Sequence, residues 1–511
     1  MPEIELKLQV AAARRAAVRA QLGRAAAARP QRLRAVYVDT PRGALAAAGL
    51  ALRVRHEGAG WVQTLKGAGA DLLTRHEHEV ARPGAPARPP RVDPGLHRGT
   101  EVGDRLLALL DAARERDPGE MLEPRYATDV TRLARIDRRA GERVETVYDS
   151  GEIRAGDARW PLSEIEIELK TGRPATVVEV ARAWVDRHAV WLDTRSKAER
   201  GSLLAAGQRI APAAAAASIA LTPDLDIAQA WRVALRECLR QIGANASQIA
   251  SDEYGPEHVH QLRVGLRRLR SVARLFDASA AALASAAPAR ALFRALGEVR
   301  DAALAGGVLA DAAARAAQVR GAPPGRSAAV AAAAPVDVAE TIRSALVQHW
   351  LLDLIAASVE TGADDPDLRR IALVDHVASR LNRWHRKAAA DALGYRELDD
   401  AGRHRLRRRV KRLRYAIEFS AALFERKARE RYLKRLRALQ ERLGQIADLT
   451  VARASLLADP APDAAAGFML GWLDAKREAL IDQALPALER FAEAPRFWKQ
   501  PRSGASAGRP S

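Results

Sequence analysis

The chain has 511 residues, 48% of them hydrophobic and only 5% aromatic, so it is too long for one ordinary domain and predicts two or three, with cores built on Ala, Leu and Val. A formal net charge of +19, with a sequence pI near 10.7, predicts attraction to a polyanion: nucleic acid, an anionic membrane or polyphosphate. A single cysteine, Cys238, excludes an intrachain disulfide, and the absence of a signal-peptide pattern or an apolar run of transmembrane length predicts a soluble cytoplasmic protein.

Up to about residue 204 short segments alternate polar and apolar residues at period two, the pattern of half-buried strands. The first, "EIELK", puts Glu3, Glu5 and Lys7 on one face and Ile4, Leu6 and Leu8 on the other. "RLRAVYVDT" follows, and then "LRVR" places Arg53 with Arg55, "QTLK" places Thr64 with Lys66, and "RHEHE" places Arg75 with Glu77 and Glu79. His76 and His78 fall on the opposite face, toward solvent or packing. "ARPGAPARPPRVDPG" reads as a loop, and "RVETVYDSGEI" and "SEIEIELK" as further strands. The last of these repeats the opening device, with Glu164, Glu166, Glu168 and Lys170 on one face. Helical patches intervene around 12–27, 104–115 and 176–189.

Residues 205–222 read as a linker, after which apolar residues recur at i, i+3, i+4 and i+7 with dense Arg between them. This helical half, 223–495, contains a repeat: "HQLRVGLRRLRSVARLF" from His260 and "HRLRRRVKRLRYAIEF" from His404. Aligned on the histidines, Arg263 meets Arg407, Arg267 meets Lys411 and Arg270 meets Arg414; "LGEVRD" and "LGQIAD" echo further on. Two pseudo-symmetric copies, about 223–335 and 336–495, are the economical reading. The Ala/Pro/Gly passage at 317–336 reads as a loop, and 496–511 as a disordered tail.

One strand with a charged face, taken alone, is explained better by a solvated face than by a cavity. Recurrence on nearly every strand of this half favours a sheet closed into a barrel, its charged faces around one lumen and its apolar faces outward under the helices. Such a lumen suits Mg²⁺ or Mn²⁺ with a polyphosphate, because carboxylates bind hard cations while Arg and Lys bind phosphate oxygens. Zinc does not fit a region without paired-His spacing in a chain with one cysteine. In the helical half, His260, Arg263, Arg267 and Arg270 share one helix face, and His404, Arg407, Lys411 and Arg414 another. The absence of a DNA-binding motif and the scarcity of aromatics weigh against nucleic acid as the partner.

"EIELK" resembles the E-x-E-x-K motif of the CYTH superfamily, the triphosphate tunnel metalloenzymes. "VYVDTP", "LALRVR", "WVQTLKG", "RHEHEV", "TDVTR", "DSGEIRAG", "SEIEIELK" and "SKAERG" follow in that family's order over residues 1–204. The helical half resembles the CHAD domain, marked by a histidine followed by clustered Arg and Lys. The fold this implies is multidomain: an N-terminal antiparallel β tunnel barrel (α+β) with flanking helices, then an all-α helical bundle of two repeats.

By the resemblance, Glu3 and Glu5 bind the divalent metal, with Glu77, Glu164, Glu166 and Glu168 as further metal ligands. Lys7, Arg53, Arg55, Lys66, Arg75, Arg132, Lys197 and Arg200 bind triphosphate. Glu166, Glu168 and Lys7 carry the catalysis, through one metal that orients the triphosphate and a second that activates water. Asp149, in the D-x-G turn, is either catalytic or structural. His260, Arg263, Arg267, Arg270, His404, Arg407, Lys411 and Arg414 bind polyphosphate, which would associate the protein with polyphosphate granules. The implied reaction is hydrolysis of inorganic triphosphate to diphosphate and phosphate. Two rivals remain: a CYTH enzyme acting on an organic triphosphate (a thiamine triphosphatase or an adenylate cyclase), and a polyphosphate-binding or granule-targeting module with little catalysis.

Overall fold

The computed structural model describes residues 3–499 apart from 24–28, 59, 70, 85–87, 140, 220, 277, 319–336, 360–370 and 459–463. The strands are β1 (Glu3–Gln9), β2 (Gln31–Asp39), β3 (Leu50–Glu57), β4 (Gly60–Ala68), β5 (Thr74–Arg82), β6 (Glu123–Arg139), β7 (Glu142–Ala155), β8 (Ala158–Thr171) and β9 (Trp191–Leu192). They pair antiparallel in the order β5-β4-β3-β2-β6-β7-β8-β1-β9, and β1 also pairs with β5, which closes eight strands into a barrel. The closing contact spans two residue pairs, Glu3–Arg75 and Ile4–Thr74, and the short β9 pairs with β1 at Leu8 and Gln9.

Register decides which charges meet. Lys7 lies opposite Glu166 and Glu5 opposite Glu168, Lys66 opposite Glu77, Arg132 opposite Asp149 and Glu3 opposite Arg75. Because alternate side chains point to opposite faces, these pairs share the barrel interior. Leu6, Leu8, Ile165 and Ile167 take the other face and are buried.

The helices are α1 (Arg15–Gly23), α2 (Ala44–Ala47), α3 (Glu101–Arg116), α4 (Pro174–His188) and α5 (Lys197–Ala205), followed by α6 (Ile227–Ala250), α7 (Pro256–Phe276), α8 (Ala278–Ala284) and α9 (Ala287–Gln318). Then come α10 (Val338–Arg343), α11 (Ala345–Val359), α12 (Leu373–Leu393), α13 (Asp400–Phe419), α14 (Arg426–Leu457) and α15 (Ala464–Ala492). Helix α4 covers β8 and β1. Val102, Leu106 and Leu110 of α3 pack on Leu50, Leu52 and Leu65. Leu204 of α5 joins Tyr37, Tyr126 and Trp160. Among the described residues no helix is long and apolar enough to cross a membrane.

The chain forms two compact units. The first comprises Met1–Ala215, Leu239–Leu262 and Ala339–Glu360; the second comprises Ala216–Cys238, Arg263–Val338 and Thr361–Ser511. In the first, α11 packs on α4, with an ion pair between Arg182 and Asp353 and His349 Nε2 2.7 Å from Asp186 Oδ1. The segment read as a linker has little regular structure, yet it is held by side chains: Gln248 Oε1 accepts from Ala211 N–H at 2.8 Å and Asn245 Oδ1 from Ala214 N–H at 3.1 Å.

The second unit is all helical. Leu309 and Ala312 of α9 pack with Leu449, Ala452 and Leu456 of α14 and with Met469 and Leu473 of α15. A second nucleus gathers His385, Tyr432, Phe491, Phe497 and Trp498, with Tyr432 and Trp498 ring centroids 5.1 Å apart. Within the segment read as a disordered tail, Phe497–Lys499 therefore form a short 3₁₀ turn with Phe497 and Trp498 buried, because two large aromatic side chains find an apolar site. Residues 500–511, and the 319–336 part of the passage read as a loop, lie outside the described residues.

Candidate active site

The barrel interior holds a cavity of about 510 Å³. Of the residues expected there, Glu3, Glu5, Lys7, Arg53, Arg55, Lys66, Arg75, Glu77, Arg132, Glu166, Glu168 and Lys197 all line it. Glu164 and Arg200 do not: they are completely or almost completely buried behind the wall, ion-paired to each other where α5 presses on β8. Tyr37, Glu57 and Glu145 line the cavity without having been singled out, and so does Asp149, whose role the sequence left open. Glu57 and Glu145 continue the inward alternation of β3 and β7, which is the signal that could have found them.

Acid and base interlock closely. Lys66 Nζ stands 2.8 Å from Glu3 Oε2 and 3.1 Å from Glu77 Oε2, and Lys7 pairs with Glu5. Arg132 forks onto Asp149 and reaches Glu166 Oε2 at 2.9 Å. Lys197 Nζ is 2.7 Å from Asp149, 2.5 Å from Glu164 and 2.9 Å from Glu166. Arg53 donates to the Tyr37 hydroxyl at 3.1 Å, and Tyr37 stacks on Tyr126 with centroids 4.7 Å apart.

This interlocking sets the protonation of the acids. Burial raises the Glu3 carboxyl to about 7; Lys66 opposes the shift, while Glu5 and Glu77 add to it. Glu168 is raised by burial and by Glu3 and Glu145. Burial acts in the same direction on Glu166, but Lys197, Lys7 and Arg132 outweigh it and hold that carboxyl well below the usual range. Asp149 is likewise lowered, as Lys197 and Arg132 overcome its burial. Lys66 and Lys197 are pushed up against burial by the carboxylates around them.

Carboxylate oxygens of Asp149, Glu164 and Glu166 lie within 4.8 Å of one another, a spacing and donor set that fits a hard divalent cation. Glu3, Glu5 and Glu77 form a second group of acids, in which burial raises Glu3 against the opposing charge of Lys66.

Local chemistry explains how α5 delivers Lys197. Ser196 caps the helix by accepting from Glu199 N–H at 3.1 Å, and Glu199 returns the bond to Ser196 N–H at 2.6 Å. Gly201 lets the helix lie against the barrel, since a Cβ there would come within 2.2 Å of the Tyr126 ring.

The two histidine-led motifs lie on α7 and α13. His260 and His404 are exposed, so neither is a packed core group. Arg263, Arg267 and Arg270 gather over the ring of Phe293, their guanidinium carbons 5.2, 5.9 and 4.7 Å from its centroid. The ring face offsets part of their mutual repulsion. Arg263 is buried and donates to the Leu296 carbonyl at 2.5 Å. Arg407 and Arg414 are half-buried and Lys411 is buried. Elsewhere, His78 Nδ1 lies 2.9 Å from His97 Nδ1 on the barrel exterior, and Cys238 is core, its thiol pushed up to about 12 by burial.

A closed antiparallel barrel with carboxylates and cations turned inward defines the CYTH class, and residues 1–202 match the CYTH domain family. Residues 233–457 match the CHAD domain family. The chain belongs to the proteins that join a CYTH domain to a CHAD domain. Enzymes of the CYTH family are metal-dependent. The chain is 29% identical over 172 residues to the inorganic triphosphatase of Haemophilus influenzae, a match covering 34% of this chain and 46% of that protein. It thus spans about half the length of this curated relative. Among solved structures it is similar to the CHAD domain of Ricinus communis, at 30% identity over 57% of this chain and 98% of that one with a TM-score of 0.45. It is also similar to a Hippeastrum protein assigned as an adenylyl cyclase and described as having a dominant triphosphatase activity, at 18% identity, 41% and 98% coverage and a TM-score of 0.28.

Proposed function

We propose that the chain is a divalent-metal-dependent inorganic triphosphatase, and that its basic helices bind polyphosphate. One observation carries the reading: a cavity inside the barrel in which carboxylates and Arg/Lys side chains interlock within ion-pair distance on successive strands. Such a lining is costly unless a ligand carrying both signs, a metal and a polyanion, shares the charges.

In this reading Arg53, Arg55, Lys66, Arg75, Arg132 and Lys197 hold the phosphate oxygens, the arginines as forks and the lysines as point charges. Glu3, Glu5 and Glu77, and on the adjoining strands β7 and β8 Asp149, Glu164, Glu166 and Glu168, are the acids that would hold Mg²⁺ or Mn²⁺. Bound there, the ion neutralises phosphate charge and makes water more acidic. Arg200 acts from behind the wall, through Glu164. Glu166 and Glu168 orient the attacking water, and Glu168, the more basic of the two, accepts its proton, while Lys7 neutralises charge on the phosphoryl group being transferred. The new bond is between water oxygen and a terminal phosphorus; the P–O–P bond breaks, and diphosphate leaves. Little covalent work falls to the protein, as positioning and charge stabilisation suffice for this transfer.

The His260–Arg270 face of α7 and the His404–Arg414 face of α13 are proposed to bind polyphosphate, and they would bring the protein to polyphosphate granules. The deciding experiment incubates purified protein with Mg²⁺ or Mn²⁺ and, separately, triphosphate, ATP, thiamine triphosphate and long-chain polyphosphate, then measures phosphate and cyclic AMP. Triphosphate turnover exceeding the others supports the proposal. Tight binding of long polyphosphate without triphosphate turnover would overturn it in favour of a binding module, and preferred turnover of ATP or thiamine triphosphate in favour of an organic substrate.

A further inference from the structure

The helix that carries Lys197 is anchored from outside the barrel. Asp193 N–H donates to the Lys7 carbonyl at 3.0 Å, which docks the approach to α5 on β1. The Asp193 carboxylate grips Arg195 in a fork, 3.0 Å from Nε and 2.8 Å from Nη2, and also accepts from Arg195 N–H at 2.9 Å. The outer side of the same guanidinium reaches Glu253 Oε2 at 2.7 Å and Ser251 Oγ at 2.7 Å. Thr194 N–H donates to Ser247 Oγ at 2.9 Å. Asp193 and Arg195 are buried, so these bonds form where water competes poorly.

Ser247, Ser251 and Glu253 lie at the end of α6 and just beyond it, in the part of the chain that matches the CHAD family. They nevertheless belong to the same compact unit as the barrel. Two features hold them at the distance this anchoring needs. A Cβ at Gly243 would meet Thr194 Cγ2 at 2.9 Å, so glycine lets α6 approach the 193–196 segment. Asp252 adopts a left-handed φ of 59°, which turns the chain so that Glu253 faces Arg195.

We propose that Arg195, clamped between Asp193 and the Ser251–Glu253 turn, is a positioning residue that sets where Lys197 stands in the cavity. It touches no cavity atom itself, since it does not line the cavity. Its effect passes through Ser196, which caps α5 and directly precedes Lys197. The turn after α6 is thereby a working part of the tunnel. The catalytic half of this inference rests on the triphosphatase reading; the positioning half does not.

The test uses the full chain and Glu253→Ala, a half-buried site whose loss leaves the Asp193–Arg195 fork in place. Hydrogen exchange is measured first, without substrate, at the Glu199 and Arg200 amides, which bond to Ser196. Expected is an acceleration of about tenfold there, with the β6–β7 amides unchanged and Glu253→Gln restoring most of the protection. Unchanged exchange at those two amides overturns the proposal whether or not the protein turns over triphosphate. The second measurement is a cycle of Glu253→Ala and Lys197→Ala on triphosphate turnover with Mn²⁺. Expected is a fall in kcat of about tenfold for Glu253→Ala alone, the scale of a modest misplacement, and less than about twofold when it is added to Lys197→Ala. A Glu253→Ala loss that persists in full beside Lys197→Ala overturns the proposal, because the turn then acts on something other than Lys197. Wild-type protein without triphosphate turnover refutes the functional reading and its catalytic corollary, leaving hydrogen exchange to decide the positioning.

Discussion

Arg132 and Asp149 stand opposite each other on β6 and β7, and the guanidinium holds the carboxylate by two parallel bonds, Nε to Oδ1 at 2.8 Å and Nη2 to Oδ2 at 2.7 Å. Asp149 has no exposed side-chain surface, so its charge depends on this fork and on Lys197. Removing Arg132 leaves a buried carboxylate short of a partner. Arg132→Ala is expected to cost about 3–5 kcal/mol of stability, measured by urea unfolding. Arg132→Lys keeps the charge but loses the fork; it is expected to retain the fold and lose at least about tenfold in triphosphate turnover.

Gly201 is needed for space rather than for backbone freedom. With a Cβ 2.2 Å from the Tyr126 ring, α5 would have to lift away from β6. Gly201→Ala is expected to destabilise by about 1–3 kcal/mol, the range of overpacking in a filled core. It should also reduce turnover more than it reduces stability at assay temperature, because Lys197 and Arg200 ride on the same helix. Thermal unfolding and initial rates measured on one preparation check both expectations.

Stability should fall as the solution turns mildly acidic. Burial, with His78 adding to it, lowers the His97 imidazole to about 4; burial, with Arg496 adding to it, lowers His385 to about 4. In the unfolded chain both take up a proton near 6.5. Between about 6.5 and 4 these two histidines make the unfolded state bind more protons, so their joint contribution to stability drops with decreasing pH and outweighs that of Glu3, which is raised to about 7 and acts in the opposite direction. Above 6.5 both states are neutral and the contribution is flat. The urea midpoint is expected to decline from pH 7.5 to pH 5, and His97→Gln and His385→Gln should each flatten part of that decline.

The two proposed activities should separate by mutation. Glu5→Gln is expected to abolish triphosphate turnover while leaving polyphosphate affinity within about twofold. For the converse, Arg263 is a poor choice, being buried and bonded to the Leu296 carbonyl. The half-buried Arg267 and Arg407 serve better. Changing both to Glu should weaken polyphosphate binding by about tenfold or more and flatten its salt dependence, with turnover unchanged; calorimetry across a salt series is the measurement.

Much of the barrel was legible because strand alternation is local. Glu3, Glu5, Lys7, Arg53, Arg55, Lys66, Arg75 and Glu77 could be assigned to one face from spacing alone, and all of them line the cavity. Tyr37 was not legible: its stretch is largely apolar, and nothing in the alternation distinguishes a residue facing the lumen from one packed on Tyr126, which Tyr37 does at once. Glu164 looked equivalent to Glu166 and Glu168 on the same face, yet it is buried with Arg200, because α5 covers that end of β8 and leaves the other two open.

The sequence by itself determined which side chains share a face, since period two and period 3.6 are properties of the backbone. It determined the charged strands and the doubled basic motif as well. Tertiary structure decided which charges are partners: closing β1 against β5 and setting the β1–β8 and β6–β7 registers brought Lys7 to Glu166 and Arg132 to Asp149. It also decided that residues after α6 hold Arg195 beside the barrel. Ion pairing and burial depend on distances between residues far apart in the chain, and no local period encodes those distances.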